Sequence, residues 1–496
     1  MSKILLISTS FEDVSLVTAG FNKKEGAKTS DEGSHYPLGL AYLHSYLEKS
    51  SHEVKSLFLN NHNYSFCFEK TLGAIKSHKP DFVGLQILTP NRLSSFKIIE
   101  YIHQNYPEIK ILIGGIHTTV LFEKILKKYP YIIAVLGEGE ITASELIDEL
   151  NKEKPILNTV AGIAFADEHK IIKTSDRKLI ENLDELPFPR HEAFITQKNV
   201  TASLITTRGC PFNCSFCCLD KISQRQVRKR SIANIIAEIE YIGQKFPNIK
   251  SIWIHDDTFF VENQRVIDFC DEIIKRKIKF NFTCSGRMKP LSAELVKKLE
   301  KANFTKVLLG LESGNNEILK KCHKGITQED AINAFKLFAN SKIGVLAFLI
   351  VGLPGETLKT IRETGRFVQK LQKIKYVYYP EDIAILTVYP GTEIYEIAKA
   401  GGTINDDFWL IDQPTPLFTL ENTQKLLFSY KETLLNYISL NKIFTIRGFI
   451  AQLPMIPFII RYLLKSPSVL KILLIKFLKR ILPNNIYLFL KNFIKR

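Results

Sequence analysis

The stretch 208-RGCPFNCSFCCLD-220 puts four of the chain's eight cysteines within nine positions. Cys210, Cys214 and Cys217 form C-x3-C-x2-C, and Cys218 follows directly. Structural zinc takes four ligands, commonly as two C-x2-C pairs with a spacer between them, and no second pair is present. Three thiolates on one short loop leave a position vacant, which suits a four-iron cluster with one iron free to bind something else. Phe216 supplies bulk to shield such a cluster from water. The side chain of Cys218 diverges from that of Cys217 and reads as packing. The loop follows the apolar run "SLITTRG", so it sits at the carboxyl end of a strand.

Outward from that strand the pattern repeats. From Ser203 to about Gly402 the runs "SLITTRG", "SIWIHDD", "FNFTCSGR", "TKVLLGLESG", "VLAFLIVGLPGE" and "DIAILTVYPGT" alternate with helices predicted from Ala233, Gln264, Ser292, Gln328 and Leu358. Six strands with helices between them predict an incomplete β/α barrel whose working face is the strand carboxyl edge. Residues 1 to about 150 show a separate alternation: "KILLIS", "VKSLFL", "DFVGLQIL", "IKILIGG" and "YIIAVLGEGE", with helices predicted from Leu38, near Lys70, and from Arg92 and Thr118. This predicts a doubly wound parallel sheet. Ligands bind such sheets where the strands end. Three loops fall there, containing Thr89, then Gly114, Gly115 and His117, then Gly137, Glu138 and Gly139. Glycine there lets a large ligand approach the backbone, and it equally serves simple turn geometry. His117 taken alone reads as a capping or surface residue. Residues 151–202 read as a connector with a hairpin around Asp167-Glu168-His169, followed by the extended "DELPFPRHEAF".

At 496 residues, 45% apolar and 24% charged, the composition is that of a globular protein of two or three domains. No cleavable signal peptide or spanning apolar run stands out, and the "KILLIS" start reads as a buried strand. Cys67, Cys270, Cys284 and Cys322 are scattered singly, which argues for core filling in a reducing cytosol. The net charge of +16 is concentrated: 11 Lys and Arg and no Asp or Glu fall from Thr433 to Arg496, leaving +5 for the first 432 residues. In "VLKILLIKFLKRIL", Lys471, Lys476, Lys479 and Arg480 share about half of a helical wheel. Basic and apolar residues at that spacing describe a membrane-surface element or, alternatively, a helical cap on the protein's own core. The region 403–496 is therefore expected to be α-helical and basic. Nucleic acid is disfavoured as a partner, because these charges are embedded in apolar sequence.

Through "CPFNCSFC" and the motifs that follow in order, residues 1 to about 400 resemble a radical S-adenosylmethionine enzyme with an N-terminal cobalamin-binding domain. The first domain adds "YPLGLAYLHSYLE", "IGGIHTT" and "LGEGEIT" to the resemblance. The implied architecture is an N-terminal Rossmann-like cobalamin-binding domain over 1–150, the connector 151–202, a partial (β/α)6 radical barrel over 203–402, and the helical tail. The implied cofactors are a [4Fe-4S] cluster on Cys210, Cys214 and Cys217, S-adenosylmethionine, and cobalamin on the three glycine-bearing loops of the first domain. By the same resemblance Asp256 and Asp257 lie near the methionyl amino group, Arg287 ends the third barrel strand, and Glu312 and Ser313 follow the fourth. Gly352, Gly355 and Glu356 lie close to the adenosine. Read alone, Asp256 or Asp257 suits a helix cap and Glu312 a surface anion. The sequence has no D-x-H-x-x-G, so it offers no histidine to replace cobalt's lower ligand.

In the family a reduced cluster cleaves S-adenosylmethionine to a 5′-deoxyadenosyl radical, and methylcobalamin then methylates the substrate radical. The resemblance thus implies C-methylation of an unactivated carbon, with a flavodoxin or ferredoxin as electron donor. It places the chain in the cytoplasm, or peripherally on the inner membrane face if the tail binds lipid, in which case the substrate is lipid-like. Ring closure or rearrangement, RNA modification, and a non-catalytic cobalamin sensor are the alternatives.

Overall fold

The computed structural model describes residues 1–11, 36–168, 170–375, 377–378, 383–413, 415, 419 and 421–444. Met1–Leu435 form one compact unit and Asn436–Arg496 a second. The basic stretch at 470–481 lies outside the described residues, and with it the membrane-surface reading of the tail. Among the described residues no helix is long and apolar enough to cross a membrane.

The first sheet has seven strands: β1 (Lys3–Ser8), β2 (Glu53–Phe58), β3 (Phe82–Gln86), β4 (Lys110–Gly114), β5 (Ile133–Val135), β6 (Ile163–Asp167) and β7 (Lys170–Lys173). Their order is β2-β1-β3-β4-β5-β6-β7, with the first five parallel. Side chains along β1 alternate between two cores, as a pleated strand requires. Ile4 and Leu6 pack with the helices Leu38–Lys49 and Glu140–Leu150 on one face. Leu5 and Ile7 pack with Tyr64–His78, Arg92–Asn105 and Ile116–Lys128 on the other. Strand order reverses between β1 and β3, which opens a crevice at their carboxyl ends. The stretch 151–202 is more than a crossing segment. Its hairpin supplies β6 and β7, which add to the sheet antiparallel, with Ala134 opposite Ala164 and Asp167 opposite Lys170.

After a short antiparallel ribbon, β9 (Thr207–Arg208) with β10 (Arg228–Lys229), the second sheet is built on β8 (Thr201–Leu204), β11 (Ser251–Ile254), β12 (Asn281–Gly286), β13 (Phe304–Glu312) and β14 (Gly344–Val351). All of its pairs are parallel, in the order β14-β13-β12-β11-β8. The expected sixth strand, "DIAILTVYPGT", pairs with β14 through β16 (Ala384–Ile385), beside Ile350 and Val351, and a further short strand before it, β15 (Val377–Tyr378), lies beside Val345 and Leu346. Helix starts follow local chemistry. Ser231, Ser292, Thr327 and Thr357 each accept a backbone N–H three residues on, and so cap the helices Ile232–Lys245, Ala293–Lys301, Gln328–Phe338 and Leu358–Ile374. Cys67, Cys270, Cys284 and Cys322 are all fully buried, as core cysteines are.

At 406–413 the expectation of a basic α-helical region from 403 onward fails: Asp406–Leu410 is a single 3-10 turn in an acidic stretch, held by tertiary packing. Residues 406–413 return across the first domain as a strap. Trp409 is fully buried against Arg92 and His117 and donates to the Tyr395 hydroxyl at 3.0 Å. Lys124 pairs with Asp407 at 2.7 Å, and Lys97 with Asp412 at 3.0 Å.

Candidate functional site

The cysteine loop is fastened at its root by the first carboxylate of "IHDD". Asp256 is buried and accepts from the backbone N–H groups of Thr206 (2.6 Å) and Thr207 (3.1 Å), from the Thr207 hydroxyl (2.9 Å) and from the Thr206 hydroxyl. All of its acceptor capacity thus goes to holding β8's continuation in place, and it is not a helix cap. Asp257 accepts from the Gly209 N–H at 2.8 Å and faces the cavity. Burial pushes its carboxyl up to about 6, against the Gly209 hydrogen bond and with help from neighbouring Asp256. Gly209 has φ +97°, and a Cβ there would meet the Gln226 carbonyl oxygen at 2.0 Å, so only glycine allows the chain to turn into the cysteines. Within the loop the Ser215 N–H donates to the Cys322 carbonyl at 3.1 Å, and the Cys217 N–H to the Cys214 carbonyl at 3.0 Å.

The same cavity, of about 760 Å³, is lined by Cys210, Cys214 and Cys217. Cys218 lines it as well, although its position beside Cys217 reads as packing. No group of three His, Cys, Asp or Glu converges on a single-ion position among the described residues. Thiolates that bind three different irons of a cluster need not share one centre, so this arrangement is compatible with a cluster. Arg287 lies over the Phe212 ring at 3.8 Å and directs Nη1 to the Cys214 sulfur at 3.5 Å, while its buried Nε has no partner. Glu312 is buried at φ +63° and accepts from Lys324 Nζ at 2.8 Å, so it is no surface anion. Lys324 in turn lies 6.0 Å from the Phe216 ring.

The opposite wall belongs to the first sheet. Gly114, Gly115, Gly137 and Gly139 line it together with Gly39, Leu40 and Leu43 of the helix after β1. The cavity continues as an apolar slot past Leu6, Leu112, Ala143 and Ile147, between the sheet and the helix Glu140–Leu150. Gly115 has φ +99°, and a Cβ there would meet the Ile87 carbonyl oxygen at 2.6 Å. A large flat ligand meeting backbone at such loops and extending a tail into a slot is the shape that cobalamin presents. Glu138 lines this space as well, and its carboxylate is engaged by neighbouring cations. It accepts from Arg208 (2.9 Å), Arg228 (2.6 Å) and the Ile180 N–H (3.0 Å). Burial alone would raise this carboxyl, but the Arg228 hydrogen bond and the Arg208 charge hold it below its ordinary value.

Besides Asp256, six of the expected residues lie off the cavity. Thr89 and His117 are buried beneath it, with Thr89 Oγ1 and His117 Nδ1 3.1 Å apart. Burial, reinforced by the Arg92 charge, presses His117 down to about 3, so this histidine is a neutral core residue and neither a cap nor a surface group. Ser313 is buried against the Thr364 hydroxyl at 3.2 Å. Gly352 and Gly355, at φ +97° and +79°, form the turn after β14, and Glu356 accepts the Gly352 N–H there. Burial drives the Glu356 carboxyl up to about 8, opposed by the Gly352 and Leu353 N–H groups, and its Oε1 has no partner. Sequence reading missed Lys324, Arg208 and Arg228. Each is a cation buried by distant acids, and no local spacing marks such a residue.

Residues 204–368 match the Radical SAM superfamily, and residues 26–147 match the B12 binding domain. An uncharacterized methyltransferase of Pyrococcus horikoshii is 30% identical over 403 residues, spanning 79% of this chain and 86% of that protein. An anaerobic magnesium-protoporphyrin IX monomethyl ester cyclase of Rubrivivax gelatinosus is 28% identical over 350 residues, spanning 68% of this chain and 62% of the cyclase. Among solved structures, the cobalamin-dependent S-adenosylmethionine radical enzyme OxsB, with aqua-cobalamin and S-adenosylmethionine bound, is similar with a TM-score of 0.68 at 18% identity. That likeness of fold covers 97% of this chain and 75% of OxsB.

Proposed function

Because the chain belongs to the radical S-adenosylmethionine enzymes that carry an N-terminal B12-binding domain, we propose that it methylates an unactivated carbon of a small or lipid-like substrate. A [4Fe-4S] cluster with S-adenosylmethionine supplies a radical able to take hydrogen from such a carbon, and cobalamin supplies the methyl group. In this reading Cys210, Cys214 and Cys217 hold the cluster, and the loops at Gly114–Gly115 and Gly137–Gly139 receive the corrin. Asp257, Arg287 and the Glu312–Lys324 pair offer charges to the amino and carboxylate ends of S-adenosylmethionine, while Asp256 keeps the cysteine loop in place. An external flavodoxin or ferredoxin supplies electrons.

The observation that carries the reading is the single cavity that has the three cysteines on one wall and the glycine loops on the other. Its remaining wall is apolar, with Ile205, Leu219, Ile222, Leu308 and Phe348, which excludes water and suits an apolar substrate. The cyclase relative favours a second reading, ring closure without methyl transfer.

Anaerobic reconstitution with iron, sulfide and cobalamin, followed by dithionite and S-adenosylmethionine, separates these readings. Retained cobalamin with both 5′-deoxyadenosine and S-adenosylhomocysteine formed is the expected result. If 5′-deoxyadenosine forms without S-adenosylhomocysteine, methyl transfer is wrong and cyclisation or rearrangement stands.

A further inference from the structure

Glu138, in the loop after β5, and Glu140, at the start of the helix that follows it, line the cavity with Gly137 and Gly139, and their carboxylates pair with arginines of the barrel's first loop. Arg208 lies two residues before Cys210 and faces Arg228 across the β9–β10 ribbon. Arg208 donates Nη1 to Glu138 Oε1 at 2.9 Å and Nη2 to Glu140 Oε1 at 2.7 Å, and Arg228 donates Nη1 to Glu138 Oε2 at 2.6 Å. All four side chains are largely buried, from 5% to 15% exposed. The joint is braced on two further sides. Glu138 accepts the Ile180 N–H while Arg228 donates to the Ile180 carbonyl at 2.8 Å, and the Arg208 guanidinium lies 4.9 Å from the Tyr42 ring on the helix whose Gly39, Leu40 and Leu43 line the cavity.

We infer that this four-membered ionic joint is a positioning device that sets the separation between the cobalamin face and the cysteine loop. The inference rests on the cofactor reading proposed above. Its logic is mechanical. One short stretch gives its backbone to one wall of the cavity and its carboxylates to the ribbon that leads into Cys210, so the two walls cannot move apart without breaking fork-like, charge-assisted hydrogen bonds in a desolvated place. Group transfer across such a gap is sensitive to its width, since a misplacement of about 1 Å can cost roughly a hundredfold in rate. Glu138 and Glu140 therefore act on the reaction through Arg208 and Arg228, as positioning residues.

The test uses the full chain reconstituted with cluster and cobalamin, in wild type, Glu138→Gln, Glu140→Gln and Arg208→Lys forms. The readout is electron paramagnetic relaxation of cob(II)alamin in the presence of the reduced cluster, which falls steeply with the distance between the two centres, alongside iron, sulfide and cobalamin content. The expected result is full occupancy of both cofactors in at least Arg208→Lys, with the relaxation enhancement reduced several-fold or spread over a range of values. Full occupancy with wild-type relaxation in every variant that folds overturns the inference while leaving the cofactor reading intact. A wild-type chain that retains no cobalamin overturns the cofactor reading, and this inference with it.

Discussion

Adjacent acids at the end of β11 divide their work because their surroundings differ. Asp256 is enclosed by four donors, whereas Asp257 has one and faces open space. Asp256→Asn puts an amide where two backbone N–H groups and two hydroxyls converge, so it should destabilise the fold by about 2–4 kcal/mol. It should also lower bound iron after reconstitution, as read by urea unfolding and iron assay; wild-type values for both would refute the fastening role. Glu356 makes a pH-dependent forecast. Its carboxyl, raised to about 8 by burial against an ordinary 4.5, keeps its proton in the folded chain where the unfolded chain has lost it. Stability should therefore decline as pH rises through that window, by up to about 1.4 kcal/mol per unit from this group. Glu356→Gln removes the slope, so the variant should gain on wild type in urea midpoint between about pH 5 and pH 8. The cysteines announced themselves by spacing. The Asp256 role did not, since four donors from residues 206 and 207 reach it only once β8 and β11 pair.

Elements were legible where periodicity and caps agreed. The helices forecast from Leu38, Arg92, Gln328 and Leu358 begin at those residues, because Leu38 follows a proline, Arg92 a tight 3-10 turn, and Gln328 and Leu358 a threonine cap. The last barrel strand was the least regular, since its pairing with β14 runs over the two residues of β16. The strap at 406–413 carries no period of either kind, and its signal is reduced to Trp409, a large apolar residue in an acidic turn. Trp409→Ala leaves a void between the strap and the helix Ile116–Lys128 and should cost about 3–5 kcal/mol. Asp407→Asn, which removes the half-exposed pair with Lys124, should cost less than about 1 kcal/mol. Equal unfolding shifts for the two variants would mean that the strap is held by its surface charges and not by its buried ring.

At the scale of the molecule, the parallel strands of two sheets present their carboxyl ends to one cavity, and the candidate site is that space. Each sheet's working edge followed from its own sequence, because loops after parallel strands are where such sheets bind. That the edges face across one cavity depends on contacts such as Arg208 with Glu138, 70 residues apart, which a local pattern does not encode. The central claim is that a cluster on Cys210, Cys214 and Cys217 and a corrin on the glycine loops occupy that one space. An anaerobic crystal structure of the chain reconstituted with iron, sulfide, cobalamin and S-adenosylmethionine tests it most directly. The account predicts the cluster on those three sulfurs, with the corrin across the cavity against Gly114, Gly115, Gly137 and Gly139. A cluster ligated by Cys218 in place of Cys217, or cobalamin bound elsewhere than between the two sheets, would contradict it.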